Sequence, residues 1–159
     1  MTPAEKLALT ERSFAAWSPP DIDAIIALYH PECEWRVGYM AAAFGTNVFR
    51  GHDGLRELVA AAEEGFEDYS AERYETRITS DGALVTRGEI HVRSRGNNME
   101  LSTPTFWGGE FRDGLILVSE ILDGQPPEWD EATPLDLGLT PEEPHDGYSE
   151  RPAARNASA

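Results

Sequence analysis

Residues 83–95 read ALVTRGEIHVRSR, and their side chains alternate in character with a period of two. This period is typical of a β-strand, whose successive side chains point to opposite faces of a sheet. One face carries Val85, Arg87, Glu89, His91 and Arg93. The other face carries Leu84, Thr86, Gly88, Ile90 and Val92. Either the charged face meets water while the apolar face covers the core, or the charged face lines a polar site.

Turn residues on both sides place this strand in a series of hairpins. Asp81-Gly82 precedes it, Gly96-Asn97-Asn98 follows it, and Asp113-Gly114 lies one strand further on. Such clusters favour tight turns between antiparallel strands. The sequence therefore predicts a meander of four strands between Arg73 and Leu122.

The part of the chain before this meander shows mainly helical periodicity. Thr2 and Glu5 form a capping box, Asp21 is placed to cap a second helix, and Gly51-His52-Asp53-Gly54 opens a third. A short alternating strand, residues 33–37, lies between the second and third helices. Three helices followed by a strand meander predict an α+β fold with the helices on one face of the sheet.

The composition restricts the classes of partner. The chain has 159 residues, of which 40% are hydrophobic, and this suffices for one domain with a core. The formal net charge of −16 argues against nucleic acid and anionic membranes as partners. No stretch approaches the about 18 apolar residues of a membrane span, and Glu5 and Lys6 interrupt the N-terminal stretch where a secretion signal is apolar. We therefore expect a cytoplasmic protein.

Cys33 is the only cysteine. An intrachain disulfide and a zinc site built from several thiolates are therefore excluded. We expect Cys33 to be a small buried hydrophobic residue in its strand.

The composition changes after Asp123. Six of the eleven prolines and eight of the 29 acidic residues follow this point, with little periodicity. We expect residues 1–124 to form the folded domain and residues 125–159 to form an acidic, proline-rich tail that is poorly ordered. Its apolar residues, through which it would dock on the domain or on a second subunit, are Trp129, Leu135, Leu137 and Leu139.

Glu120 is the first candidate for a catalytic residue. It is the only charge on the apolar face of residues 116–122, and an isolated acid there is unfavourable unless it is paired or protonated. Simple pairing through the Asp113-Gly114 turn sets Glu120 opposite Trp107. The pattern predicts a pocket wall with one carboxylate among apolar side chains.

Arg87 and Glu89 are the second and third candidates. A three-residue loop at Gly96-Asn97-Asn98 places both on the face that Glu120 and Trp107 share, whereas a loop one residue shorter or longer reverses that face. Two carboxylates in one apolar cleft do not both ionise easily, so one pKa rises while the arginine keeps the other group ionised. The result suits general acid–base catalysis; the alternative is a structural arginine–carboxylate bridge.

Other residues are candidates for the pocket wall. The predicted substrate-binding set is Trp35, Tyr39, Phe49, His91, Trp107 and Phe111, in which His91 is also a possible proton carrier. The histidines do not show metal-ligand spacing, and the sequence has neither a phosphate-binding glycine loop nor a nucleophile elbow. We expect no metal and no cofactor.

Several segments together resemble SnoaL-like proteins of the nuclear transport factor two-like superfamily. They are Phe14–Trp17, Asp21–Trp35, Phe49–Leu55, Arg112–Ile116 and Glu120–Asp123. The resemblance covers roughly Thr2 to Asp123. It implies a cystatin-like α+β roll, in which a cone-shaped, curved antiparallel sheet and three N-terminal helices enclose one pocket. It also implies a homodimer formed through the outer sheet face, for which the apolar set Leu84, Ile90 and Val92 would be suited.

The superfamily includes polyketide cyclases, ketosteroid isomerase and limonene epoxide hydrolase, together with many proteins of no known activity. By position, Glu120 resembles the last-strand acid of SnoaL-like cyclases, and Arg87-Gly88-Glu89 with Glu120 is similar to the Arg-Xaa-Asp plus Asp set of the epoxide hydrolase. Here both aspartates are glutamates, and Trp35 and Val37 stand where that enzyme holds its water with tyrosine and asparagine, which weakens the likeness to the hydrolase.

Two functions remain open at this point. The first is a cofactor-independent enzyme that uses acid–base chemistry on a hydrophobic polyketide-, steroid- or terpenoid-like substrate, as a cyclase, isomerase or epoxide hydrolase. The second is a non-catalytic small-molecule-binding or dimerisation module of the same fold. Fold resemblance alone does not decide between them.

Overall fold

The computed structural model describes residues 1–135, which fold into four α-helices, one 3₁₀ turn (Gly38–Met40) and seven strands. The helices are α1 (Pro3–Ala16), α2 (Ile22–Leu28), α3 (Ala41–Phe44) and α4 (Gly51–Gly65). The strands are β1 (Tyr29–Arg36), β2 (Val48–Arg50), β3 (Phe66–Ile78), β4 (Leu84–Ser94), β5 (Glu100–Arg112), β6 (Leu115–Ile121) and β7 (Thr133–Pro134). The α+β class is confirmed. The short elements α3, β2 and β7 were not predicted, because segments of two to four residues carry too little periodicity.

The N-terminal helices begin where the capping residues predict. Thr2 Oγ1 accepts a hydrogen bond from the Glu5 amide, and the Glu5 carboxylate accepts one from the Thr2 amide. Asp21 caps α2 by accepting a hydrogen bond from the Ala24 amide. These caps fix the start of the two helices that cover one face of the sheet.

The seven strands form one sheet in the order β2-β1-β6-β5-β4-β3-β7. Strands β1 and β6 are parallel, and the other neighbouring pairs are antiparallel. Register shifts interrupt the β3–β4 and β5–β6 pairs, and such bulges bend a sheet. Gly88 lies at one of them, where a Cβ atom would stand 1.9 Å from the Glu72 carbonyl oxygen, so the curved sheet requires glycine there.

The apolar face of β4 covers the core. Leu84, Thr86 and Ile90 are almost fully buried, and Val92 packs on the same core at its edge. The expectation that Leu84, Ile90 and Val92 form a subunit interface is therefore wrong. Because these side chains are buried in the core, the charged side chains of β4 lie on the opposite, outer face of the sheet.

A C-terminal strap, residues 125–135, returns over the sheet. Its Trp129 is buried, with its ring 5.4 Å from Phe106 and 4.1 Å from the Arg77 guanidinium. The Arg77 guanidinium also donates a hydrogen bond to the Trp129 carbonyl oxygen at 2.8 Å, and β7 pairs with the edge of β3. The strap is thus packed, in contrast to the poorly ordered tail expected from residue 125. The rest of that expected tail lies outside the described residues.

Within residues 1–135, none of the helices has the length and apolar character that crossing a bilayer requires.

Candidate functional site

A cavity lies between α1 and the inner face of the sheet. About 540 Å³ of empty space, part of it open to solvent, lies among its lining side chains. They are Thr10, Ser13, Phe14, Trp17, Tyr29, Trp35, Tyr69, Ala71, Leu84, Thr86, Trp107, Gly108, Gly109, Phe111, Ile116 and Ser119. Aromatic rings dominate this lining, and none of its residues carries a charge. The cavity is therefore suited to an uncharged, largely aromatic ligand.

The polar centre of the cavity is the phenol of Tyr29. Its oxygen lies 2.7 Å from Ser119 Oγ and 3.3 Å from Ser13 Oγ, and it accepts a hydrogen bond from Trp35 Nε1 at 3.1 Å. A phenol donates one hydrogen bond and accepts two. Trp35 and the two serines therefore saturate Tyr29, and one serine hydroxyl proton of this cluster is left to be donated elsewhere. Both serines line the cavity, and Ser119 is the less buried of the two, so this proton is available to a ligand in the cavity.

Trp17 supplies a second donor with spare capacity. The residue is 6% exposed, and its Nε1–H has no hydrogen-bond partner within the described part of the chain. The indole lies near enough to Tyr29 to lower the pKa of that phenol slightly, but outside hydrogen-bonding geometry. A buried donor without a partner is unfavourable by about 1–3 kcal/mol. A ligand oxygen in the cavity would remove that penalty.

Burial raises the pKa of Tyr29 above its ordinary value, and the hydrogen bonds from Ser119, Ser13 and Trp35 offset only part of this effect. Burial likewise raises the pKa of Tyr69 on the far wall. Both phenols are therefore neutral near pH 7 and act as hydrogen-bonding groups rather than anions.

Comparison with known proteins assigns the sequence to a family. A family model described as the SnoaL-like domain matches residues 10–118. The chain belongs to the SnoaL-like domain family. No curated protein matches the sequence.

Solved structures share the fold of this SnoaL-like domain. TerC, co-crystallised with polyporic acid, is 20% identical in sequence and superposes with a TM-score of 0.66. The superposition covers 74% of this chain and 90% of the TerC chain. An NTF2-like protein of unknown function from Burkholderia pseudomallei is 15% identical, with a TM-score of 0.66 over 77% of this chain and 91% of that protein's chain. A protein with a ketosteroid isomerase-like fold from Catenulispora acidiphila, in complex with trimethylamine, is 13% identical, with a TM-score of 0.63 over 77% of this chain and 86% of that protein's chain. At these identities the likeness shows the fold alone.

Three residues of the predicted substrate-binding set line the cavity of the SnoaL-like domain: Trp35, Trp107 and Phe111. Phe49 is buried in the core beside the Phe44 ring and does not reach the cavity. Tyr39 is 46% exposed, its hydroxyl lies 2.6 Å from Thr105 Oγ1, and it is not among the residues that line the cavity.

Glu120 does not lie in the cavity. The predicted pairing with Trp107 is wrong, because a bulge shifts the β5–β6 register so that Glu120 pairs with Gly108. Ser119 therefore takes the inward position, and Glu120 points to the outer face, where its carboxylate lies 3.5 Å from Arg36. Arg36 also pairs with Glu34 at 3.0 Å and holds the pKa of that carboxyl below its ordinary value.

Arg87 and Glu89 also lie on the outer face. The Ser94 amide donates to the Met99 carbonyl oxygen, so the loop that this pair closes has four residues, 95–98, rather than three. Arg87 therefore pairs with Phe106, and the face is reversed. Arg87 is buried there, 3.4 Å from Glu75. The structure therefore does not bring Arg87, Glu89 and Glu120 into one cleft with the pocket aromatics.

His91 is on the same outer face. Its Nδ1 lies 2.8 Å from Ser102 Oγ, and its Nε2 lies 3.2 Å from Glu72 and 3.6 Å from Glu89. His91 shares this face with Glu89, as the period of two predicts, but it does not line the cavity, in contrast to its place in the predicted substrate-binding set.

Sequence reasoning missed Ser13, Trp17, Tyr29 and Ser119 as site residues. A signal existed for three of them: Ser13 adjoins Phe14 on the helix whose apolar side packs on the sheet, Trp17 follows Phe14 by three residues, and Tyr29 follows the apolar stripe of α2. Ser119 gave no signal, because only the β6 bulge turns it inward.

Proposed function

We propose that the protein binds a flat, largely aromatic small molecule that carries at least one hydrogen-bond-accepting oxygen. The aromatic, uncharged lining supports the apolar part of this ligand. The unpartnered Nε1–H of Trp17 carries the proposal of an acceptor oxygen, because a buried donor in a cavity wall is satisfied by such an atom. We assign the second donor to Ser119, the less buried of the two serines that contact the Tyr29 hydroxyl.

The fold neighbours support a small-molecule role of this kind. The SnoaL-like family model matches most of the domain, and TerC of the same fold was crystallised with polyporic acid. A carboxylate ligand would meet no cation in the described cavity lining, so neutral ketones, quinones and esters are the favoured class.

The test compares 9-fluorenone with fluorene, which has the same rings but lacks the oxygen. Tryptophan fluorescence titration of the full chain gives both dissociation constants. Two hydrogen bonds of ordinary net strength, about 1 kcal/mol each, make fluorenone bind about thirtyfold more tightly. Ser119→Ala and Trp17→Phe each remove part of this preference, whereas Tyr39→Phe, outside the cavity, leaves it unchanged. Equal binding of the two compounds would contradict the proposal.

A second candidate function is catalysis by the same donors. Trp35 donates to the Tyr29 oxygen, which makes the phenol a better donor toward Ser119, and hydrogen bonds in such a chain strengthen one another. Preorganised donors at a carbonyl oxygen stabilise the negative charge that develops there during enolisation or aldol-type ring closure. These are reactions of polyketide-like ketones.

This candidate differs from the two-carboxylate mechanism expected from the sequence. The described cavity lining contains no carboxylate and no imidazole, so no side chain there is placed as a general base. The enzyme function therefore requires a substrate with an acidic α-carbon, such as a β-diketone, whose α-proton passes to solvent water while the Ser119 and Trp17 donors stabilise the enolate oxygen. Deuterium exchange into a 2-acyl-1-tetralone, followed by NMR, tests it: acceleration by the wild type and its loss in Tyr29→Phe support catalysis, and equal rates with and without protein leave binding as the function.

A further inference from the structure

We propose that Glu72, Glu89 and His91 on the outer face of the sheet form a binding site for a divalent transition-metal cation of the zinc class. The site is separate from the aromatic cavity and does not depend on the function proposed for it. Its three donor atoms, one imidazole nitrogen and two carboxylate oxygens, all lie within 4.8 Å of one another.

The sheet register produces this cluster. Glu72 on β3 and Glu89 on β4 stand directly opposite each other, and His91 follows Glu89 by two residues on the same face. Two like charges opposite each other on neighbouring strands repel, so this pair is unfavourable without a positive partner. A cation held between them turns that repulsion into attraction.

The distances match those of a small coordination sphere. His91 Nε2 lies 3.2 Å from Glu72 Oε1 and 3.6 Å from Glu89 Oε1. Zinc–ligand bonds of about 2.0–2.1 Å in a tetrahedron set neighbouring donor atoms about 3.3 Å apart. Both distances from His91 lie close to this value, so a zinc ion bound to Nε2 and to either carboxylate requires little movement of that pair of side chains.

A further contact orients the histidine as a ligand. Ser102, opposite His91 on β5, lies 2.8 Å from Nδ1 and holds the ring so that Nε2 faces both carboxylates. A hydrogen bond to the nitrogen that does not bind metal is the usual support of a metal-ligating histidine. Tyr74 donates to Glu89 at 3.0 Å and orients that carboxylate in the same way.

The chemistry and exposure select the cation. One imidazole with two carboxylates suits zinc, cobalt and related ions better than magnesium or calcium, which prefer oxygen ligands alone. The side chains are 35% (His91), 23% (Glu89) and 56% (Glu72) exposed, which leaves the remaining coordination positions open to water. The net charge of −16 further favours cations near the surface.

Spacing along the chain does not reveal this site. Glu72 and His91 lie 19 residues apart and meet only because β3 and β4 are paired. The histidines by themselves gave no metal-ligand pattern, which is why the sequence predicted no metal.

The experiment titrates the full-length chain, freed of any affinity tag, with zinc chloride by isothermal calorimetry and with cobalt chloride by visible absorption. We expect one zinc per chain and cobalt d–d bands typical of a nitrogen–oxygen site. His91→Ala and Glu89→Gln each weaken zinc binding at least tenfold, and Ser102→Ala weakens it about tenfold through the lost orientation of the ring. His30→Ala is the matched control, because His30 pairs with one carboxylate, Asp113 at 3.3 Å, and within residues 1–135 belongs to no such triangle of donor atoms.

Circular dichroism of each metal-free variant confirms the fold before titration. Absence of one-to-one binding at millimolar zinc overturns the proposal. Wild-type affinity in both His91→Ala and Glu89→Gln also overturns it, since zinc then binds elsewhere on the acidic surface.

Discussion

Replacing Tyr29 by phenylalanine tests the energetic importance of the polar centre of the cavity. The substitution removes the acceptor of Trp35 Nε1, a donor on a residue that is 6% exposed and has no other partner in the described structure. Leaving such a group unsatisfied costs about 1–3 kcal/mol. The two serine hydroxyls that also lose Tyr29 can turn toward each other or toward cavity water, so their loss is smaller.

We therefore expect Tyr29→Phe to lower the free energy of unfolding by about 2 kcal/mol. In a domain of this size this corresponds to a fall in Tm of about 6 °C. Urea unfolding followed by far-UV circular dichroism gives the first quantity, and a thermal scan gives the second. The m-value stays constant, because the variant exposes the same surface on unfolding.

Tyr39→Phe is the matched control. It removes one hydroxyl with one partner, Thr105, from a residue that is 46% exposed, and it costs no more than about 0.5 kcal/mol. A double-mutant cycle of Tyr29→Phe with Ser119→Ala measures the coupling across the 2.7 Å contact, expected to be about 1 kcal/mol. A loss below 0.5 kcal/mol in Tyr29→Phe, or no coupling in the cycle, would refute the reasoning.

Four further predictions concern stability and assembly. Gly88→Ala lowers the free energy of unfolding by about 3 kcal/mol or more, because its Cβ would stand 1.9 Å from a carbonyl oxygen, whereas Gly65→Ala, with open space around it, is neutral or stabilising in the same urea titration. Raising the pH above about 10 destabilises the protein, because burial raises the folded-state pKa of Tyr69: stability is complete below the unfolded pKa of about 10 and is lost above it by up to about 1.4 kcal/mol per pH unit. A Tyr69→Phe variant with the same pH slope as the wild type would count against this assignment. Trp129→Ala lowers the free energy of unfolding by about 3 kcal/mol and opens the strap to proteolysis, and an unchanged cleavage pattern would show that the strap is not held by this ring. The homodimer implied by family resemblance stays a prediction, which light scattering after size exclusion decides by the mass of the full chain.

The corrections to the candidate site have one physical origin. Strand side chains alternate with a period of two, so an error of one residue in register moves every side chain to the other face. One extra residue in the β4–β5 loop turned Arg87 and Glu89 outward, and one bulge in β6 turned Glu120 outward and Ser119 inward. Neither the loop length nor the bulge follows from local sequence preference alone, because both depend on how the strands pair in the curved sheet.

The sequence by itself determined the family, the α+β class, the capped starts of α1 and α2 and the aromatic character of the pocket. Capping boxes, turn dipeptides and apolar stripes are local, so they act through residues a few positions apart. The sequence predicted Trp35, Trp107 and Phe111 correctly as pocket residues, because large aromatic side chains on the inward faces of strands pack in the core or line its cavity.

Only the tertiary structure decided which polar groups meet. The Tyr29–Ser119 contact joins residues 90 positions apart, and the contact of His91 with Glu72 joins neighbouring strands of a bulged sheet. Contacts of this kind depend on strand register and curvature, which are set by the packing of the whole core rather than by any segment of the chain.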